Sequence, residues 1–199
     1  MHGLINRSLE FFISDTYGAD IWQDVARGAG LGFAHFESML EYDDSLTYAV
    51  LDAAVIRLSK PREILLEDMG TYLVSNPKVE ALRRLLRFGG VTFVEFLHSL
   101  EDLHGWAKLA VPELKMPKLH LTEQADSGCF KLSSDSSHVG FEHILMGLLR
   151  AMADDYGALV LLDRTDFGDG RGEITIQVIE ASFADGRDFS LAGLVEGAA

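Results

Sequence analysis

The chain has 199 residues, 48% of them hydrophobic, which is enough for one well-filled core. Its formal net charge is −14, from 31 acidic and 17 basic residues, and this charge repels phosphate backbones and anionic lipid head groups. We therefore expect a single domain over residues 1–185, with residues 186–199 as a tail or an edge element. Nucleic acid and membrane surfaces are not expected partners.

The single cysteine, Cys129, excludes an internal disulfide, and the first residues lack the basic-then-apolar pattern of a secretory signal. No apolar run approaches the roughly 20 residues that a helix needs to cross a bilayer. These features predict a cytoplasmic protein, and we expect a monomer or a weak dimer.

Apolar residues recur at helical spacing up to about residue 110 and alternate more often beyond it. The pattern predicts an α+β fold, in which a mainly helical half (about 1–110) packs on a second part (111–185) with a small antiparallel sheet and a long helix. In chain order the predicted helices begin near Leu4, after Gly18, after the capping residues 43–45, at Pro61, at Asn76-Pro77 and at about Val91. The predicted strands are 119–121, 129–132, 158–164 and 173–181, with a helix over 140–156 between the second and the third.

The helix predicted over 91–109 presents His104 on an apolar stripe of leucines and phenylalanines, and Pro117 follows thirteen residues later. A lone histidine beside leucines is more often a hydrogen-bonded core or boundary residue than a ligand. A four-ligand zinc site is disfavoured, because the chain has one cysteine and scattered histidines. A porphyrin iron needs only one protein ligand, an apolar slot and polar groups for the propionates. Haem is therefore the metal cofactor that one histidine can hold.

Motifs spread along most of the chain carry a family resemblance. They are Met1–Glu10, Tyr17-Gly18, Ile21-Trp22, Tyr42–Tyr48, Glu63–Leu65, Met69-Gly70, Val94–His104, Pro117 and Val139–Leu149. On these residues the chain resembles the H-NOX family, the haem-nitric oxide/oxygen binding domain shared with the beta subunit of soluble guanylate cyclase. The resemblance implies the H-NOX fold and a haem b cofactor. It also implies that His104 is the proximal iron ligand and that Pro117 presses on the porphyrin.

The Tyr-x-Ser-x-Arg motif, which binds the haem propionates in this family, is altered here. Ser134, Ser136 and His138 stand in its place, and only Ser136 matches. Arginine is permanently charged and donates two parallel hydrogen bonds to a carboxylate, whereas histidine near pH 7 is mostly neutral and donates one. We therefore expect haem to bind with reduced affinity or altered propionate contacts. Candidate replacement anchors are Lys115, Lys118 and Lys131.

The register of the same motifs implies which residues lie on the gas-binding side of the haem. Ile144 occupies the position at which oxygen-binding members have a tyrosine, and Leu73 matches a position filled by a large apolar or aromatic pocket residue. Gly70 lies on the same predicted helix as Leu73, where a glycine usually marks close packing. Bound dioxygen benefits from a hydrogen-bond donor, whereas NO and CO depend on one much less. The resemblance thus implies binding of NO and CO with little oxygen binding, although packing in a core would explain Leu73 and Ile144 equally well.

Together these features predict a bacterial haem-based gas sensor rather than an enzyme, since the sequence has no nucleophile elbow and no phosphate-cradling loop. Loss of the iron bond to His104 when NO binds would supply a two-state element. The resemblance implies a separate signalling partner, either a histidine kinase or a cyclic-di-GMP enzyme. Two alternatives stay open: an interaction module that has lost haem, suggested by Ser134 to His138, and a peroxidase-like haem enzyme. The second needs a distal acid-base pair, against which Ile144 argues.

Overall fold

A computed structural model describes residues 1–124, 128–136, 138–167 and 172–189 of the chain. Its helices and strands follow one another in this order: α1 (Gly3–Tyr17), α2 (Ala19–Gly28), α3 (Asp44–Leu58), α4 (Arg62–Ser75), α5 (Glu80–Arg87), α6 (Phe93–Ser99), α7 (Leu103–Ala110), β1 (Leu119–Gln124), β2 (Cys129–Ser134), α8 (Phe141–Tyr156), β3 (Leu159–Asp166) and β4 (Gly172–Glu180). Within these residues, no helix has the length and apolar character that a membrane crossing requires. Most of the predicted tail, residues 190–199, lies outside the described residues.

The four strands form one antiparallel sheet in the order β1-β2-β4-β3. Its buried face carries large apolar side chains in register, with Phe130 opposite Ile176 and Leu132 opposite Ile174. These side chains pack in one core with residues of α6 and α8. The α+β class, with a helical N-terminal half, a small antiparallel sheet and a long helix, is therefore confirmed.

A second core lies in the N-terminal half and joins α1 to α4. Its members are buried and alternate at helical spacing; they include Leu9, Phe12, Ile13, Trp22, Val25, Val50, Leu51, Ala54, Leu65 and Met69. Two half-buried residues, Leu73 on α4 and Ile144 on α8, pack against this core. Helices α4 and α8 thus connect the helical half to the part that carries the sheet.

Two glycines let α4 and α8 approach with their backbones in contact. A Cβ atom on Gly70 would lie 2.1 Å from the carbonyl oxygen of Ile144, and one on Gly147 would lie 1.9 Å from the carbonyl oxygen of Glu67. Real Cβ atoms cannot approach so closely, so only glycine fits at either position. The expected close packing at Gly70 is therefore present, and Gly147 is its counterpart on α8.

The helix predicted over 91–109 is interrupted. It forms as α6, a 3₁₀ turn over Leu100–Asp102, and α7. The Ser99 hydroxyl donates to the carbonyl oxygen of Phe96 at 2.7 Å, a local bond that competes with the regular helical ladder. Because residues three apart eclipse in a 3₁₀ turn, Leu100 and Leu103 both stay buried. His104, the next residue, is half-buried.

Candidate haem site

His104 is the second residue of α7 and lines an open depression of about 280 Å³. The other lining residues are mainly polar: Glu101, Asp102, Gly105, Lys118, Leu119 and His120. Leu119 is the apolar member of this lining, whereas the sequence predicted leucines and phenylalanines around His104.

One hydrogen bond orients the His104 ring. Its Nδ1 atom lies 2.6 Å from the carbonyl oxygen of Met116. Because a carbonyl oxygen can only accept, Nδ1 donates in this contact, and in the neutral ring Nε2 then keeps its lone pair. A histidine that donates from one ring nitrogen and offers the other is the usual arrangement of a metal ligand. The donor chemistry at His104 therefore fits an iron ligand.

The irregular segment 111–118 connects His104 to the altered motif. It contains Met116 and the half-buried Pro117, and it ends at Lys118. The backbone N–H of Lys118 donates to the Asp135 carboxylate at 2.6 Å, and the N–H of Asp135 donates to the carbonyl oxygen of Lys118 at 3.1 Å. Pro117 thus lies between the bond to His104 and the bonds to Asp135, so a shift of the segment would affect both.

Residues of the altered motif mainly stabilise their own turn. The backbone N–H of His138 donates to the buried Ser136 hydroxyl at 3.1 Å, and the Ser134 hydroxyl lies 3.4 Å from Oε1 of Glu142. His138 Nδ1 is 3.9 Å from a carboxylate oxygen of Asp44 on α3. The three residues therefore lie together just before α8, and His138 reaches the N-terminal half.

His138 lines a second depression, of about 260 Å³, where several charged groups meet. Its other lining residues are Met1, His2, Ile5, Glu41, Asp44, Glu113 and Lys115. The N-terminal ammonium donates to Asp44 at 2.5 Å and to the carbonyl oxygen of Tyr42 at 2.6 Å. The hydrogen bond to Asp44 holds the pKa of that carboxyl below its usual value. Three carboxylates, those of Glu41, Asp44 and Glu113, thus share this depression with His138.

The three candidate anchor lysines lie in different places. The Lys131 ammonium is 2.7 Å from the Glu173 carboxylate, and this contact raises the pKa of Lys131. Lys118 lines the depression beside His104. Lys115 lines the depression that contains His138. Within the described part of the chain, Lys115 is the lysine that a carboxylate near His138 could meet.

Gly70, Leu73 and Ile144 meet at the α4/α8 crossing, where Leu73 and Ile144 contribute apolar side chains. The neighbouring His143 is directed to α4, with its Nδ1 atom 3.6 Å from Oε1 of Glu67. His104 therefore fits an iron ligand by its donor chemistry, whereas Leu73 and Ile144 line neither of the two depressions described above. At the propionate end the fit to haem is poorer, because His138 and Lys115 share their depression with three carboxylates.

Sequence reasoning missed two participants in this arrangement. The carbonyl oxygen of Met116 orients His104, and the N-terminal ammonium engages Asp44. A backbone carbonyl is present at every residue, so no pattern of residue types could indicate the first. The second required knowing that the N-terminus folds beside α3.

Comparisons with known proteins identify the family. The Haem-NO-binding family model matches residues 2–162 of this chain. The chain therefore belongs to the Haem-NO-binding family, which is the H-NOX family expected from its sequence motifs. This family is defined by ligand binding rather than by a reaction, in agreement with the expectation that the chain is not an enzyme.

Among curated relatives, soluble guanylate cyclase gcy-31 of Caenorhabditis elegans is 25% identical over 155 residues, covering 78% of this chain and 22% of the relative. Soluble guanylate cyclase 89Da of Drosophila melanogaster is 24% identical over 159 residues, covering 80% of this chain and 24% of the relative. The rat guanylate cyclase soluble subunit beta-2 is 32% identical over 94 residues, covering 47% of this chain and 14% of the relative. The chain thus spans about a quarter or less of the length of these relatives.

Solved structures share the fold. A triple mutant of the H-NOX protein from S. oneidensis, in its Fe(II) state, aligns with a TM-score of 0.77 at 17% identity, covering 91% of this chain and 97% of that one. The unliganded Fe(II) H-NOX protein from K. algicida, as a point mutant, aligns with a TM-score of 0.75 at 18% identity, covering 90% and 97%. At these identities the likeness establishes the fold alone.

Proposed function

We propose that this chain is a haem-based gas sensor that binds NO, and also CO, at a ferrous haem b ligated by His104. The observation that carries this proposal is the contact between His104 Nδ1 and the Met116 carbonyl oxygen, which leaves Nε2 available to a metal. Membership of the Haem-NO-binding family supports it. So does the likeness to the S. oneidensis H-NOX protein in its Fe(II)NO state, at a TM-score of 0.76 and 16% identity.

When bound, the haem iron supplies the open coordination position at which the gas binds. The chain's own residues would do the rest: His104 holds the iron, and segment 111–118 keeps the His104 ring oriented while Pro117 presses on the porphyrin. Leu73 and Ile144 offer no hydrogen-bond donor, so they favour NO and CO over dioxygen. The haem propionates would contact Ser134, Ser136 and His138.

The signal would leave through a separate protein, a histidine kinase or a cyclic-di-GMP enzyme, and we place this exchange in the cytoplasm. Helices α4 and α8 could transmit the signal within this chain. They connect the two cores, and they carry Leu73 and Ile144. A shift at the haem would therefore change how the helical half lies against the sheet.

Absorption spectroscopy of haem-reconstituted protein tests the ligand assignment. The wild type should give a five-coordinate ferrous spectrum that changes when NO is added. The His104→Gly variant should lose this spectrum and regain it with added imidazole, because imidazole can occupy the vacated space. His120→Gly is the matched control, since His120 lines the same depression on an exposed strand position, and it should keep the native spectrum. An unaltered spectrum in His104→Gly would show that another residue holds the iron.

A haemless interaction module is the second candidate, and a specific observation favours it. The depression at His138 contains Glu41, Asp44 and Glu113, which would repel propionates. The two functions differ in one measurement, the Soret band after expression with excess haem. Colourless protein that also refuses added haemin would favour the module, and a strong band would exclude it.

A further inference from the structure

The proposed function does not use the Asp135 side chain, which lies exposed between Ser134 and Ser136 of the altered motif. The Asp135 carboxylate accepts a hydrogen bond from the backbone N–H of Lys118 at 2.6 Å. The Asp135 N–H in turn donates to the carbonyl oxygen of Lys118 at 3.1 Å. Asp135 therefore holds Lys118 by two hydrogen bonds, one of which depends on its side chain.

These two bonds continue the ladder between β1 and β2 beyond the ends of both strands. Leu119 pairs with Ser134 inside the ladder, so Lys118 and Asp135 are the next pair along. In a regular hydrogen-bonded antiparallel pair, the backbone carbonyl of each residue accepts from the N–H of the other. Here a carboxylate oxygen of Asp135 is the acceptor for the Lys118 N–H. A side chain thus fixes the point at which segment 111–118 enters β1.

The constraint on Lys118 reaches His104 over two residues. Lys118 follows Pro117, whose ring fixes its φ at about −65°, and Pro117 follows Met116. The Met116 side chain packs against the C-terminal core, whereas its carbonyl oxygen accepts from His104 Nδ1 at 2.6 Å. The Met116 N–H donates to the carbonyl oxygen of Leu114 at 3.0 Å, within the same segment. The direction of the Met116 carbonyl therefore depends on the peptide that it shares with Pro117, and through Pro117 on Lys118.

We propose that Asp135 is a positioning residue for His104, because its carboxylate holds Lys118 and thereby keeps the Met116 carbonyl oxygen directed at Nδ1. A histidine that donates a hydrogen bond from one ring nitrogen is a more basic ligand through the other. Asp135 would thus set both the tautomer of the His104 ring and the strength of its bond to iron. The second effect rests on the proposed function, whereas the first does not.

Nuclear magnetic resonance of the haem-free full chain, labelled with nitrogen-15 at histidine, tests the first effect. At about pH 8, above the ordinary pKa of histidine, nitrogen–proton correlation spectra distinguish the Nδ1–H tautomer from the Nε2–H tautomer. His104→Gln lacks the His104 signals and so identifies them. Asp135→Ala should lower the ratio of the Nδ1–H to the Nε2–H tautomer at His104 about fivefold, the equivalent of losing one neutral hydrogen bond.

Two control variants separate the proposed contact from the general loss of a carboxylate. Asp135→Asn keeps an acceptor oxygen and should hold the tautomer ratio within about twofold of the wild type. Asp43→Ala removes an exposed carboxylate at the start of α3, which accepts from the Ser45 N–H at 2.8 Å, and it should leave the ratio unaltered. Asp135 and Asp43 are both exposed, so folding is retained in the three variants.

Resonance Raman spectroscopy of the haem-loaded ferrous protein tests the second effect through the iron–histidine stretching band. Asp135→Ala should shift this band to lower wavenumber, because a weaker hydrogen bond at Nδ1 makes His104 a less basic ligand. Asp135→Asn and Asp43→Ala should leave the band in place.

The proposal would be overturned by an unaltered tautomer ratio or an unaltered iron–histidine band in Asp135→Ala. Changes of equal size in either control variant would also overturn it. Failure of the proposed function is distinguishable, because a chain without a Soret band would contradict that function while the tautomer comparison still decides the role of Asp135.

Discussion

The two sides of the candidate haem site are held by different forces. At the α4/α8 crossing, Gly70 and Gly147 bring backbone against backbone, and substitution of either glycine has no space. On the other side, the polar contacts are few: His104 Nδ1 meets the Met116 carbonyl oxygen, Lys118 and Asp135 bond each other, and His104 and His138 border open depressions. The apolar side is therefore fixed by the fold itself. The polar side can lose a motif residue without losing the fold, so its changes should appear in haem affinity.

The largest expected effect comes from filling the crossing. Gly147→Ala places a Cβ 1.9 Å from the Glu67 carbonyl oxygen, so α4 and α8 must separate. We expect a loss of about 3 kcal/mol in the free energy of unfolding, at the upper end for overpacked sites. Urea denaturation followed by circular dichroism measures it.

Gly105→Ala is the control, because a Cβ at Gly105 would meet nothing within 4 Å and the residue lies within α7. There the alanine should raise the free energy of unfolding by up to about 1 kcal/mol, through its better helix propensity. If the two alanine variants changed the free energy of unfolding equally, the α4/α8 crossing would not be sterically limited.

Much of the fold could be predicted because local signals and the final structure agree. The Asp43 carboxylate caps α3 by accepting from the Ser45 N–H at 2.8 Å, and Asn76 caps the turn after α4 by accepting from the Lys78 N–H at 2.9 Å. The strands predicted at 158–164 and 173–181 form at Leu159–Asp166 and Gly172–Glu180. Both capping and alternation act over a few residues, which is why a sequence displays them.

The break at Leu100–Asp102 was missed, because the leucine spacing across it suits a continuous α-helix as well as a 3₁₀ turn. The sequence predicted His104 on an apolar stripe, and the structure has it half-buried at the border of an open depression. The family resemblance was enough to name His104 as the candidate iron ligand. Its hydrogen bond to the Met116 carbonyl oxygen could not be predicted, because it depends on how segment 111–118 folds back. Long-range backbone contacts of this kind leave no residue-type signature.

The next expected effect concerns the polar side. His138→Arg introduces a permanent cation into the depression lined by Asp44 and Lys115, where it could bind a haem propionate. Charge-assisted hydrogen bonds contribute roughly 1.5 to 3 kcal/mol, so haem loss should slow by about 10- to 100-fold, with unfolding free energy little changed. Transfer of haem to excess apomyoglobin measures the rate. His120→Arg, on the exposed face of β1, is the control and should leave the rate unaltered.

A smaller effect is expected at Ile144. The wild-type ferrous protein should stay five-coordinate in air-saturated buffer, and Ile144→Tyr should strengthen dioxygen binding about fivefold, the equivalent of one neutral hydrogen bond of about 1 kcal/mol. Ile144→Phe has nearly the same bulk without the hydroxyl, so it separates hydrogen bonding from steric effects. Oxygen titrations followed by absorption measure both. A stable oxy spectrum in the wild type would remove Ile144 as the residue that sets ligand preference.

The smallest expected effect concerns a polar contact in the helical half and its contribution to the free energy of unfolding. Asp15 on α1 accepts from the Lys78 ammonium at 2.5 Å and from the Tyr72 hydroxyl on α4 at 2.8 Å. These hydrogen bonds, that from Lys78 first, hold the pKa of Asp15 below its usual value of 3.8.

Because the folded pKa is depressed, the contribution of Asp15 to stability is fully present above pH 3.8 and is lost as pH falls through the lower, folded pKa. The contribution should be about 1 kcal/mol or less, since Lys78 is 70% exposed and salt screens the pair. Urea denaturation of wild type and Asp15→Asn should therefore differ slightly at pH 7, and the difference should vanish as pH falls below the folded pKa. A difference as large as that for Gly147→Ala would show that this hydrogen-bonded contact between α1 and α4 stabilises the protein as strongly as close packing does at the α4/α8 crossing.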